Sequence, residues 1–130
     1  MREEVEKWIN FASEDLRMAE LALKEKIYNQ ACFHSEQCVE KMLKAFIIFQ
    51  GKSYPQTHKL TDLLSLVPEG TFNDLREEIF LLDRFYIPTR YPDALPGTLP
   101  DGLPSEKDAK EAIETARLVF EKVKEEVEIP

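Results

Sequence analysis

Ala31-Cys32-Phe33-His34-Ser35-Glu36-Gln37-Cys38-Val39-Glu40-Lys41-Met42-Leu43-Lys44-Ala45-Phe46-Ile47-Ile48-Phe49 reads as one long helix. Within it Ala31/Cys32, Ser35, Val39, Met42, Phe46 and Phe49 recur at intervals of three and four, which keeps side chains on one face of an α-helix. Gly51 follows as a C-terminal stop. Projected at about 100° per residue, His34, Gln37, Lys41 and Lys44 fall on the opposite side, joined by Phe33 and Ile48. The spacing predicts an inward apolar stripe and a mixed outer face.

The segments on either side repeat the pattern. Val5, Ile9, Ala12, Leu16, Ala19 and Leu23, widened by Trp8 and Phe11, predict a first amphipathic helix over about residues 2–25. After the loop Ser53-Tyr54-Pro55-Gln56-Thr57-His58, Lys59 to Leu66 predicts a short helix closed by Val67-Pro68-Glu69-Gly70. Leu75, Ile79, Leu82 and Tyr86 mark a fourth helix that ends where Pro88 removes the amide donor. Pro88, Pro92, Pro96, Pro100 and Pro104 then recur every fourth position, with Gly97 and Gly102 between, so residues 88–104 form a long proline-rich loop. Ser105-x-x-Asp108 resembles a capping box, and Ala109, Ala112/Ile113, Ala116, Val119/Phe120, Val123 and Val127 carry the last long helix. No strand is expected. Short connections up to the proline loop predict an all-α, up-and-down antiparallel bundle of four to five helices, in a single domain over residues 1–130.

Composition narrows the class of function. A chain of 130 residues with 43% hydrophobic and 32% charged residues suits a folded globular domain that needs no disulfide or metal staple. A formal charge of −8 opposes the broad cationic field that long nucleic acids require, so a compact ligand is the better match. The charged start Met1-Arg2-Glu3-Glu4 and the brevity of the run Ala45–Phe49 lead to the expectation of a cytoplasmic protein with no membrane segment. Cys32 and Cys38, roughly 9 Å apart along a helix axis, are expected to be buried thiols. No cofactor or metal is expected, because the two histidines and two cysteines form no ligand pattern.

Three stretches together resemble a known family. Tyr28-Asn29-Gln30-Ala31-Cys32-Phe33-His34-Ser35-Glu36-Gln37-Cys38-Val39-Glu40-Lys41-Met42-Leu43-Lys44-Ala45 is similar to the second-helix signature of the HEPN domain family. Thr57-His58-Lys59-Leu60 resembles the His-x-Leu start of that family's next helix, and Tyr86-Ile87-Pro88-Thr89-Arg90-Tyr91-Pro92-Asp93 its Arg-Tyr-Pro element. With Ala12-x-x-Asp15-Leu16, the resemblance spans roughly residues 5–125. It implies a helical bundle, usually a homodimer, often paired with a minimal nucleotidyltransferase in a toxin–antitoxin or related system. Many such proteins are metal-independent ribonucleases whose motif is an Arg followed after four to six residues by His. Here the nearest Arg upstream of either His34 or His58 is Arg17, so no catalytic residue is carried over. The resemblance therefore points to a non-catalytic module that binds a nucleotide or an RNA phosphate.

The candidate residues each admit a structural role as well. Arg90 suits bidentate contact with a phosphate or carboxylate, with Tyr91 offering a stacking face and Asp93 an acceptor for a base or ribose. Equally, Arg90 suits tying the loop to a helix end or to an acid such as Asp15. Asp15 itself reads as a partner for a buried polar group. His34, Gln37 and Lys41 either line a ligand groove or form a solvated or subunit-facing stripe. Thr57 or the His58 ring is the expected cap of the short helix. Phe33 and Ile48, outside the inward stripe, are candidates for a subunit interface. Two rival functions remain: a ribonuclease with a rearranged set such as Arg90 and His34, and a dimer that serves only as a protein-docking surface.

Overall fold

A computed structural model describes residues 2–85 and 102–128. Five α-helices follow one another: α1 (Arg2–Lys24), α2 (Tyr28–Phe49), α3 (Leu60–Leu64), α4 (Arg76–Leu82), extended by a 3-10 turn (Asp83–Phe85), and α5 (Glu106–Glu128). The described residues contain no strand, and the architecture is the up-and-down bundle that the apolar periodicity predicts. The proline-rich loop over 88–104 lies mostly outside the described residues.

The helices end by recognisable chemistry. After α1, Lys26 takes a φ of 63°, the Ile27 N–H donates to the Ala22 carbonyl at 2.8 Å, and the Lys26 N–H to that of Leu23 at 3.0 Å. These are the two bonds of a Schellman closure. The same closure ends α2, where Gly51 at φ 80° fulfils the stop read in the sequence and donates to Ile48, while Lys52 donates to Ile47. At α5 the capping box forms in full: the Ser105 N–H donates to Asp108 Oδ2 at 2.9 Å, and the Asp108 N–H to Ser105 Oγ at 3.1 Å. The Ser105 N–H, and to a lesser degree the Ser105 side chain, hold the Asp108 carboxyl below its ordinary range.

The cap of α3 differs from expectation. Its first amides donate to the carboxylate of Asp83, Leu60 N–H to Oδ1 at 2.8 Å and Thr61 N–H to Oδ2 at 3.4 Å. Thr57 instead accepts the Lys59 N–H and donates to Asp62, and the His58 ring reaches Glu40. A residue 23 positions downstream thus closes the short helix and ties it to the end of α4. Replacing Asp83 with Ala removes both acceptors, and about 1–2 kcal/mol of stability should be lost in urea unfolding, with faster amide exchange at Leu60 and Thr61.

Helix α2 runs through the middle of the bundle, with α1, α3, α4 and α5 all packed against it. That placement corrects the expectation of a mixed outer face. Glu36, Glu40, Lys44 and Ile48 are all buried, because the side opposite the apolar stripe is covered by α1 and by the loop carrying Tyr54 and His58. Ile48 keeps only 6% of its surface, so it packs within its own chain, and Phe33 is half-buried. Conversely Phe49, counted in the inward stripe, and Phe11 of α1 lie exposed. The core itself is built from Val5, Ala12 and Ala19 of α1, Val39, Met42 and Phe46 of α2, Leu60 and Leu63 of α3, and Ile113, Ala116 and Val119 of α5. Alanines on the facing sides let the long helices approach closely.

Candidate functional site

The polar stripe of α2 forms two carboxylate centres. In the first, Asp15 projects from α1 and each of its oxygens has a partner: His34 Nδ1 lies 2.8 Å from Oδ1, and Lys41 Nζ donates to Oδ2. The carboxylate is buried, while the His34 and Lys41 side chains keep 21% and 25% of their surface. Their outer atoms therefore remain in reach of solvent. The His34 ring packs edge-on to Phe33, with centroids 5.3 Å apart, and His34 also lines a shallow groove with Met18, Leu21 and Ile27.

The second centre lies deeper. Glu40 Oε2 accepts from Lys44 Nζ at 2.8 Å and lies 3.1 Å from His58 Nδ1. The Lys44 ammonium stands over the rings of Trp8 and Tyr54, at 5.4 and 5.3 Å from their centroids, and those two rings pack edge to face. A buried cation is thus surrounded by one carboxylate and two π faces. One turn before Glu40, Glu36 accepts from Gln37 Nε2 at 2.7 Å through Oε1, and its Oε2 has no partner. Glu40 Oε1 is likewise buried and unpartnered. Burial, and then the negative charge of Glu40, push the Glu36 carboxyl well above its ordinary range, against the opposing effect of the Gln37 bond.

These distances decide what each sequence candidate can do. His34, Gln37 and Lys41 do come together along one strip of α2, and two of the three are bound to Asp15. Asp15 is the buried partner the sequence suggested, and the groups bound to it are His34 and Lys41. An imidazole oriented through Nδ1 by a carboxylate can still exchange a proton through its other nitrogen, and an ammonium with three N–H groups spends one on Asp15. Arg90, Tyr91 and Asp93 lie outside the described residues. Sequence reasoning does not single out Glu36 and Glu40, for which the available signal is the polarity of α2 positions one turn apart, or Asp83, for which it offers none.

Both thiols of the chain are held in their protonated form. Cys32 and Cys38 are free and buried. Burial, reinforced by the charge of Asp108, pushes the Cys32 thiol up to about 12, and burial raises Cys38 as well, so both stay protonated. Among the described residues no group of three or more His, Cys, Asp or Glu side chains is placed to hold a metal ion. No described helix is long and apolar enough to cross a membrane.

The chain is thus an all-α bundle of about five helices, organised around a central helix that carries a buried Glu40–Lys44 ion pair. The HEPN domain profile matches residues 5–126, nearly the whole length, and the chain belongs to the HEPN domain family. It is similar to "Putative toxin MJ1304" of Methanocaldococcus jannaschii, with 30% identity over 129 residues that cover 91% of this chain and 84% of that protein. Among solved structures, ST0689, an archaeal HEPN homologue, matches with a TM-score of 0.77 and 34% identity, covering 95% of this chain and 98% of that one. TT1696 from Thermus thermophilus matches with a TM-score of 0.75 and 33% identity, over 93% of this chain and 96% of that one.

Proposed function

We propose that this protein is a non-catalytic HEPN module that binds the phosphate of a nucleotide or short RNA and, as a homodimer, pairs with a minimal nucleotidyltransferase in a toxin–antitoxin-like system. The observation that carries the ligand half is the strip of His34, Gln37 and Lys41, which brings N–H donors to one partly exposed stretch of α2. Arg90, Tyr91 and Asp93 keep the phosphate, stacking and base-recognition roles that their chemistry suggests. The toxin-like context is supported by the similarity to a protein named as a toxin, and the nucleotidyltransferase pairing by the family resemblance. The lack of an Arg-x4–6-His spacing supports a binding role over cleavage.

Calorimetric titration with ATP, other nucleotides and short RNA tests this. The wild type should bind at least one of them, and Arg90→Ala or Gln37→Ala should weaken that binding by about tenfold, or ~1.4 kcal/mol. Heat from none of the ligands, or affinity unchanged in both variants, would remove the ligand half. The Asp15-oriented imidazole favours one second reading, a ribonuclease with a rearranged site. Incubation with the same RNA separates the two: cleavage by the wild type that disappears in His34→Ala selects the enzyme.

A further inference from the structure

A second concave surface shares no lining residue with either carboxylate centre. Helix α4 and the following 3-10 turn lie beside α5, and between them runs a cleft of about 530 Å³. Its walls are apolar: Leu75, Leu81, Leu82 and Phe85 on one side, Ala112 and Leu118 on the other. Leu81 leaves 56% and Leu118 44% of its surface in water, a cost that a monomeric bundle gains nothing from.

The rim has one sign of charge. Asp74 and Glu78 stand on one edge, Glu111 and Glu114 on the other, and none of the four has an ion-pair partner among the described residues. Elsewhere on α5, Glu106, Glu126 and Glu128 are each paired with a lysine four residues away, while Glu121 and Glu125 have no ion-pair partner among the described residues. Arg84 is the one cation among the residues lining the cleft, and Asp108 answers it at 3.7 Å. Four unanswered carboxylates around an apolar trough repel one another and raise the local negative potential, and both effects are relieved by a cationic occupant.

We infer that the α4–α5 cleft is a docking site for a basic amphipathic helix of a partner protein, with aliphatic or aromatic anchors set between Leu81 and Leu118 and flanking Lys or Arg side chains meeting Asp74, Glu78, Glu111 and Glu114. A trough between two helices suits a third helix, which presents anchors at i, i+3/i+4 and i+7 along one side. The rim selects its charge. An acidic helix with the same anchors meets like charges on both edges, which is how the site discriminates. This surface shares no residue with the proposed ligand strip, so the two readings stand or fall separately.

Two fluorescein-labelled helical peptides with identical Leu/Phe anchors, one flanked by lysines and one by glutamates, provide the test with the intact protein. Anisotropy should show the lysine peptide binding at least about tenfold more tightly at low salt, with the difference shrinking as salt rises. Leu81→Gln and Leu118→Gln, both at exposed positions, should each weaken it by about tenfold while circular dichroism stays unchanged. The combined Glu78→Gln, Glu111→Gln, Glu114→Gln variant should bind both peptides alike. Equal binding of the two peptides to the wild type, binding of neither, or indifference to both leucine variants overturns the proposal. So does sedimentation showing a wild-type dimer that falls apart in Leu118→Gln, because a second copy then occupies the cleft.

Discussion

Glu40→Ala is expected to lower the stability of the fold by about 3–4 kcal/mol, which for a chain of 130 residues is a drop in Tm of about 10–15 °C. The effect does not come from losing an attractive contact as such. Removing the carboxylate leaves Lys44, whose side chain is only 8% exposed, with the faces of Trp8 and Tyr54 and no anion. Cation–π attraction of about 2 kcal/mol per desolvated contact does not offset the cost of an unpaired buried ammonium. The control is the double variant Glu40→Leu, Lys44→Met, which removes both charges and keeps the volume. It should recover most of the loss, and chemical denaturation of the three proteins measures this directly. A double variant as unstable as Glu40→Ala would mean that the pair is held for a reason other than charge neutrality, with the His58 contact to Glu40 the next to examine.

How far the sequence discloses this arrangement depends on whether the signal is local. The three long helices were legible because their apolar residues recur within one turn, and the ends at Gly51 and Ser105 because a stop or a capping box involves neighbours in the chain. The order of the bundle followed from the short connections. What the pattern does not contain is the rank of a helix in the bundle. A projection of α2 assumes one buried side, yet α2 is covered nearly all round, so Lys44 and Ile48 were placed outward when both are buried. The Asp83 cap was equally hidden, because its acceptor lies 22 and 23 residues from its two donors and no spacing rule connects them. Of the candidate site, the strip His34, Gln37 and Lys41 could be read as neighbours on one helix, whereas Asp15 could be read as a partner for a buried polar group or for Arg90 without its true partners being named. Which partner it takes is decided by how α1 lies on α2.

Glu36→Gln is expected to do the opposite of Glu40→Ala and to stabilise the protein, by an amount that grows with pH. Glu36 is fully buried, and its carboxyl ionises well above its ordinary value of 4.5, chiefly through burial and then through the nearby Glu40 carboxylate. A group whose folded-state pKa is raised binds more protons folded than unfolded. Its stabilising contribution is complete below about pH 4.5 and is lost as the pH climbs through the raised folded value. Over that interval the wild type gives up as much as about 1.4 kcal/mol per pH unit relative to a protein with no ionisable group at this position. Glutamine is such a group: it has nearly the same shape, carries no charge to desolvate, and retains an oxygen that accepts the 2.7 Å bond from Gln37. Urea unfolding of the two proteins from pH 5 to pH 8 should therefore give curves that lie close together at the acid end and separate steadily toward the alkaline end, with the variant above. Asp108, held below its ordinary range by Ser105, acts in the other direction and loses its contribution as pH falls, but it does so equally in both proteins and cancels from the difference. Parallel curves would show that Glu36 ionises inside the fold without penalty, which its position beside a second buried carboxylate one turn away does not permit.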